Sequence, residues 1–393
     1  MSGSLVLDIM LGLVLIAYIV YGFRNGFSRS VFVIAGVVAG VVGAFFLAPL
    51  AATWVPVSLL RPAVTIFVAV GLVGLGHALG TAIGRGVRRG VAKSALGGFD
   101  RVAGAVVTGV AAALVASVVS FSASQLGVPV LSKAIADSTI LTTITTVTPA
   151  PVQAFLAQMR GAVVDRGIPI ITDALGEKTA TIPQIDTGSE ALNTAAQSVV
   201  RITGNAYACG RSQSGSGFVI SDDRIITNAH VVAGVSEPVI EAPNGEVVTG
   251  SIVYFDPIDD LAVIAAPGLS VAALSASETL NEGDDAVVEG YPYGGPFISG
   301  AADVISVSTA KVADIYGSNS NNREVYTLAA TVREGNSGGP LLTLDGRVSG
   351  VVFARNADNE KVGYAMTMAE LGPVASQAAG LTDAVSSGSC ITE

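Results

Sequence analysis

The string Gly335-Asn336-Ser337-Gly338-Gly339-Pro340 is the strongest chemical pattern in this sequence. A serine hydroxyl is a poor nucleophile at neutral pH and needs a neighbouring base and a site for the developing oxyanion. Gly335 has no side chain to block approach, so its N–H and that of Ser337 can converge on one oxygen. Gly338 and Gly339 let the chain bend sharply and pass close to packed strands. A loop of turn residues between two strands would read the same way if the string stood alone. It does not, because Thr227-Asn228-Ala229-His230-Val231-Val232 lies upstream and sets His230 at the end of a strand. Histidine is the usual general base near neutral pH. The chain has two histidines. His77 falls inside an expected membrane span, out of reach of an extracytoplasmic serine, so a serine that uses a histidine here uses His230.

The imidazole then needs a carboxylate against its far nitrogen to fix the tautomer. Three aspartates compete in Asp256-Pro257-Ile258-Asp259-Asp260-Leu261-Ala262-Val263. Asp260 immediately precedes an apolar strand and is favoured for burial, whereas Asp256 and Asp259 read as turn residues. This chemistry calls for no metal and no organic cofactor, and no nucleotide-binding glycine loop is present.

The elements around these groups are short β-branched runs separated by Gly, Asn and Asp turns from about residue 191 onward. They include Gly217–Ile220, Arg224–Thr227, Pro238–Glu241, Leu261–Ala265, Ala286–Glu289, Glu324–Leu328, Pro340–Thr343 and Val348–Phe353. Many short strands at close spacing predict an all-β barrel or sandwich. About 200 residues suffice for two small barrels with their own cores.

The N-terminal half is different. Half of all residues are apolar and 13% are charged, below the roughly 25% of soluble domains, which points to a part in lipid. Apolar runs at 5–23, 30–52, 64–84 and 102–121 are each near the ~20 residues needed to cross a bilayer. Their glycines (Gly36, Gly40 and Gly43; Gly71, Gly74 and Gly76; Gly104 and Gly109) suit close helix packing in lipid. The first run lacks a basic leader and is followed at once by a second, so it does not read as a cleavable signal. Arg24 and Arg29 mark the first loop, and Arg85, Arg88, Arg89, Lys93 and Arg101 the third, whereas the second loop has only Arg61. Positive charge marks the cytoplasmic side, so both termini are expected outside. Trp54 reads as an interface anchor. Asp8 and His77 are ionisable groups in spans, a functional hypothesis by default. The plainer readings are snorkelling for Asp8 and a helix–helix hydrogen bond for His77.

The expected domains are therefore a four-helix membrane domain at 1–122, a juxtamembrane helical segment and linker at 123–190, and a β domain at 191–393. Val152–Val164 has helical spacing, with Phe155, Leu156, Met159 and Val163 on one face. Residues 1–190 hold 12 Lys and Arg against 8 Asp and Glu, and the rest 9 against 23. An acidic β domain disfavours nucleic acid as partner. The expected partners are protein or peptide substrates and the lipid membrane. The two cysteines, Cys209 and Cys390, are expected to form a disulfide if that half lies outside the cytoplasm.

The order His230, Asp260, Ser337, set in TNAHVV, DLAV and GNSGGP, resembles the trypsin/chymotrypsin superfamily. With Gly215-Ser216-Gly217-Phe218-Val219-Ile220, it is similar to the bacterial HtrA-like branch. The resemblance covers about residues 195–370. It implies two six-stranded β-barrels with the triad in the cleft, and Gly335 and Ser337 as oxyanion-hole donors. Asp8, Arg24-Asn25-Gly26-Phe27 and Phe99-Asp100-Arg101-Val102-Ala103-Gly104 resemble the colicin V production membrane domain. Together the halves resemble actinobacterial membrane-anchored periplasmic proteases. This implies a role in acid resistance, self-cleavage and a single disulfide, here Cys209 with Cys390. Three departures matter. Too little chain follows residue 370 for the peptide-binding PDZ domain of HtrA proteins. Asn336 replaces the aspartate that pairs with a new N-terminus in trypsin, which implies no such activation. Thr331 replaces trypsin's acidic residue six positions before the serine, which argues against selection for Arg or Lys. The rival reading is a transporter or channel whose β domain only binds peptides; an intact triad argues against it.

Overall fold

The computed structural model describes residues 3–54, 61–91, 97–124, 127–149, 151–153, 155–156, 169–171, 180–206 and 211–391. Cys209, Met159 and Val163 lie outside the described residues. Two compact units are formed, one of residues 6–119 and one of residues 1–5 with 120–393.

The first unit is built from four apolar helices, α1 (Gly3–Asn25), α2 (Phe27–Thr53), α3 (Arg61–Val91) and α4 (Gly97–Ser124), of which residues 3–5 of α1 and 120–124 of α4 belong to the second unit. Each contains a stretch long and apolar enough to cross a membrane, with mean hydropathy between 1.7 and 2.4. Backbones touch where the small residues permit. A side chain at Gly36 would meet Gly76 O at 2.2 Å, and one at Gly80 would meet Phe32 O at 2.2 Å, so α2 and α3 pack main chain to main chain. α1 and α4 do the same at Gly22 and Gly104. Gly43, Gly71 and Gly74 face open space and take no part. Asp100, at the start of α4, is buried and accepts the Ser28 N–H (2.8 Å) and hydroxyl (2.6 Å), capping the first turn of α2. His77 is exposed on α3 rather than packed between helices.

The second unit begins with α5 (Pro129–Ala136) and α6 (Thr139–Val147), the latter capped by Ser138 accepting from Leu141 N–H. Strand β1 (Ile170–Ile171) then joins a sheet, so this part of the expected linker is structured. α7 (Glu190–Ala196) leads into β2 (Val199–Ala206), β3 (Arg211–Ser221) and β4 (Arg224–Thr227). A one-turn helix α8 (Ala229–Val232) follows, then β5 (Val239–Glu241), β6 (Val247–Thr249), β7 (Ser251–Asp256) and β8 (Leu261–Ala265). Their order is β6-β5-β2-β3-β4-β8-β7. β6 and β7 are one strand bent at Gly250, where an added side chain would lie 2.3 Å from Ile264 Cγ2. Pairing with β5 on one side of the bend and β8 on the other closes six strands into a barrel.

The second sheet comprises β9 (Asp285–Gly290), β10 (Ile298–Ala313), β11 (Ser320–Ala329), β12 (Pro340–Leu342), β13 (Val348–Asn356) and β14 (Val362–Met366). Its order is β13-β12-β9-β10-β11-β14, and β13 also pairs with β14, closing a second six-stranded barrel. β1 adds to β13 in parallel. α9 (Met368–Gln377) packs beneath, with Leu371 and Val374 buried. Alternate inward residues fill each barrel: Val200, Ile202, Val219, Ile225, Ile240 and Ile264 in the first, and Val288, Val304, Tyr326, Leu328, Leu341 and Val352 in the second. Each such side chain contributes about 1.5–3 kcal/mol by burial.

Candidate active site

β4 delivers Thr227 and Asn228 to the barrel end, and α8 then turns His230 inward, where it is 6% exposed. Of the three competing aspartates, Asp260 reaches it. His230 Nδ1 lies 2.8 Å from Asp260 Oδ2, and the His230 backbone N–H donates to Asp260 Oδ1 at 2.9 Å. Asp260 is buried and holds a left-handed backbone, φ +55°. That conformation is costly for a residue with a side chain and persists where surroundings enforce it. Here the enforcing contact is Asn228 Nδ2, which donates to the Asp260 carbonyl at 2.9 Å. Asp256 instead accepts the N–H groups of Ile258 and Asp259, as a turn residue does. Asp259 faces Arg323 at 4.0 Å.

Ser337 sits on a turn pinned from three sides. Its carbonyl accepts Ser216 N–H at 2.9 Å. Gly338 N–H donates to Val352 O and Val352 N–H to Gly339 O, both at 2.9 Å. Gly338, at φ +81°, is pressed so close to the histidine strand that a side chain would lie 2.3 Å from Thr227 Oγ1. Gly215 lies between the two groups: a side chain there would meet Val231 Cγ1 at 2.6 Å and Ser337 O at 3.1 Å. Ser337 Oγ and His230 Nε2 are both buried, neither has a hydrogen-bond partner among the described residues, and they do not bond each other. The histidine–aspartate contact is thus made and the serine–histidine contact is not; such bonds often tighten only with substrate present.

Gly335 has φ +87°, and its α-carbon is packed so that a side chain would strike Tyr291 O at 2.3 Å. Its carbonyl accepts the Ser216 hydroxyl at 2.6 Å, and that hydroxyl accepts Tyr291 N–H at 2.9 Å. The preceding carbonyl, Glu334 O, accepts Tyr293 N–H at 2.6 Å. Because the peptide is planar and trans, Gly335 N–H points to the side away from Tyr293. Sequence reasoning missed the role of Ser216 in this support; its place in the GSG string was the available signal. Asn336 Oδ1 accepts Arg333 N–H at 3.0 Å, a local closure of the turn. Thr331 opens onto a cavity of about 610 Å³ lined also by Ala180, Arg333, Asp358 and Lys361.

Cys390 is disulfide-bonded. Its Sγ lies 3.2 Å from where a side chain at Gly234 would begin, and Gly234 N–H donates to Ser387 O at 3.1 Å. The C-terminal tail therefore packs against the loop that follows His230.

Comparison with known proteins bears on both units. The trypsin-like peptidase domain model matches residues 215–351, and the colicin V production protein model residues 7–149. Serine protease Rv3671c of Mycobacterium tuberculosis is 34% identical over 273 residues, 67% of this chain and 68% of that protein. The chain belongs to the trypsin-like serine proteases. The putative serine protease HhoB of Synechocystis is 35% identical over 156 residues, 39% of this chain and 37% of its own length. The crystal structure of the active form of the Rv3671c protease covers 56% of this chain and all of its own, at 34% identity and a TM-score of 0.52. This protease is a serine endopeptidase with four membrane-anchoring helices, and its β-rich unit has the chymotrypsin-like double-barrel architecture expected from the sequence motifs.

Proposed function

We propose that the protease hydrolyses peptide bonds with Ser337 as nucleophile, His230 as general base and Asp260 as the carboxylate that orients it. The observation that carries this reading is the two-point, buried contact of Asp260 with His230 beside the pinned Ser337 turn. Ser337 Oγ attacks the scissile carbonyl while His230 Nε2 takes its proton. The tetrahedral oxyanion is held by the N–H groups of Gly335 and Ser337. His230 returns the proton to the leaving amine, and water completes hydrolysis of the acyl-enzyme by the same steps in reverse. Every step is carried by the chain's own residues.

In this reading the protease unit lies outside the cytoplasm, on the periplasmic side, with both termini outside, and acts on envelope proteins or peptides near the membrane. The positive loops of the helical unit and the disulfide at Cys390 support that side; its partner is Cys209, the other cysteine in the chain. The domains are taken as 1–122, 123–190 and 191–393. Acid resistance is the proposed setting, the one implied by the resemblance of the sequence to actinobacterial membrane-anchored periplasmic proteases, and Glu289, a buried carboxyl whose pKa is pushed up to about 7 by loss of solvent, supports it. Self-cleavage within 122–190 is proposed because β1, from that segment, pairs with β13 of the catalytic barrel.

Replacing Ser337 with Ala tests the assignment. Peptide cleavage and fluorophosphonate labelling should both disappear from the full chain in detergent. Either one persisting at the wild-type level would remove Ser337 from the role. A single N-terminus shared by wild type and the Ala variant would remove self-cleavage.

A further inference from the structure

Arg201, in β2, is 8% exposed, and both terminal nitrogens of its guanidinium are hydrogen-bonded. Nη1 donates to Gly294 O at 2.9 Å, and Nη2 to Ser124 Oγ at 3.2 Å and to the Glu241 carboxylate. The group also sits over the Phe121 ring, 5.0 Å from its centroid. Phe121 in turn touches the Gly294–Gly295 turn, since a side chain at Gly295 would begin 3.4 Å from Phe121 Cε2. The last turn of α4, β2 and the 291–295 turn therefore meet at one cation.

That turn backs the oxyanion donor. Tyr293 N–H holds Glu334 O at 2.6 Å, and a side chain at Gly335 would lie 3.1 Å from Gly294 N. Arg333 Nη1 donates to Tyr293 Oη at 3.2 Å. The direction of the Gly335 N–H thus depends on a turn that Arg201 grips one residue away.

We infer that Arg201 is a positioning residue for the oxyanion turn, and that Phe121 and Ser124, at the end of α4 that belongs to the same unit as Arg201, are part of that support. The inference rests on Gly335 being an oxyanion donor. A buried ion pair serving stability alone would change folding and leave turnover per folded molecule intact. A positioning role changes kcat with KM little altered, because the oxyanion exists only in the transition state.

The test uses the full chain in detergent micelles with dye-labelled β-casein. Losing a direct oxyanion donor costs ~10²–10³ in kcat, so Arg201→Gln is expected to lower kcat about 10-fold with KM within about twofold. Arg201→Lys, which keeps the charge beside Glu241, is expected to recover part of that loss. Phe121→Ala and Ser124→Ala, which leave Arg201 and Glu241 paired, are expected to lower kcat about two- to fivefold each. A folded Arg201→Gln with wild-type kcat, or with raised KM alone, overturns the inference. Should that variant not fold, wild-type kcat in both Phe121→Ala and Ser124→Ala overturns it. Activity that Ser337→Ala abolishes but these variants spare leaves the protease reading standing and removes this one. Activity indifferent to Ser337→Ala removes both.

Discussion

His230 and Asp260 meet at two points, through the imidazole Nδ1 at 2.8 Å and the His230 backbone N–H at 2.9 Å, one on each carboxylate oxygen. The carboxylate therefore fixes both the ring and the main chain that carries it. In the proposed mechanism one oxygen sets the tautomer and leaves Nε2 to act as base. The other ties α8 to the start of β8, so the ring cannot swing without moving the helix.

Asp260→Asn separates these two tasks. The Asn carbonyl can still accept the backbone N–H, so the fold should hold, with a shift in thermal midpoint of a few degrees. Its amide facing Nδ1 would favour the tautomer that leaves Nε2 protonated. We expect kcat to fall about 10⁴-fold with little change in KM. Peptide turnover at saturating substrate measures it, and a loss below tenfold would remove Asp260 from the triad.

Glu289 makes stability depend on pH. It lies in β9, fully buried, with Oε1 accepting from the Ser299 hydroxyl and Oε2 without a hydrogen-bond partner among the described residues. Burial raises its pKa from 4.5 to about 7. Between those values the folded state holds a proton that the unfolded state has lost, so stability falls as pH rises through this window. The contribution is present below about pH 4.5, is lost by pH 7, and amounts to at most about 3 kcal/mol. Glu289→Gln should flatten the difference in denaturant midpoint between pH 5 and pH 7.5. An unchanged pH slope in that variant would show that Glu289 is not its source.

The tail disulfide should stabilise the fold near His230. Cys390→Ser, or reductant added to the wild type, is expected to cost about 2–5 kcal/mol and to lower the thermal midpoint by roughly 5–15 °C. The packing of Gly234 against Cys390 couples this tail to the loop after α8, so activity should fall before global unfolding. Differential scanning calorimetry with parallel activity measurements checks both. A midpoint insensitive to reductant would argue against a structural bridge.

Much of this was legible along the chain. The four spans followed from apolar runs of bilayer length, and several β strands from their β-branched composition. β10, with four Ala and three Ser among its 16 residues, was not visible that way; it is held by pairing on both sides to β9 and β11. Positions 36, 40, 76 and 104 were rightly read as helix contacts, but Gly43, Gly71 and Gly74 were not contacts, because composition does not reveal which side of a helix meets a neighbour.

By itself the sequence pointed to the chemistry: a serine in a glycine turn, one usable histidine upstream, and a carboxylate just ahead of an apolar strand. These are properties of residue types within a few positions, where local geometry and motif spacing act. Only the tertiary structure showed that Asp260, rather than Asp256 or Asp259, lies against His230, since that contact spans 30 residues. It alone brought Ser216 to Gly335 across 119 residues and Arg201 to Gly294 across 93. Such contacts depend on barrel closure and strand register, which no local pattern encodes, and the proposed support of the Ser337 turn rests on them.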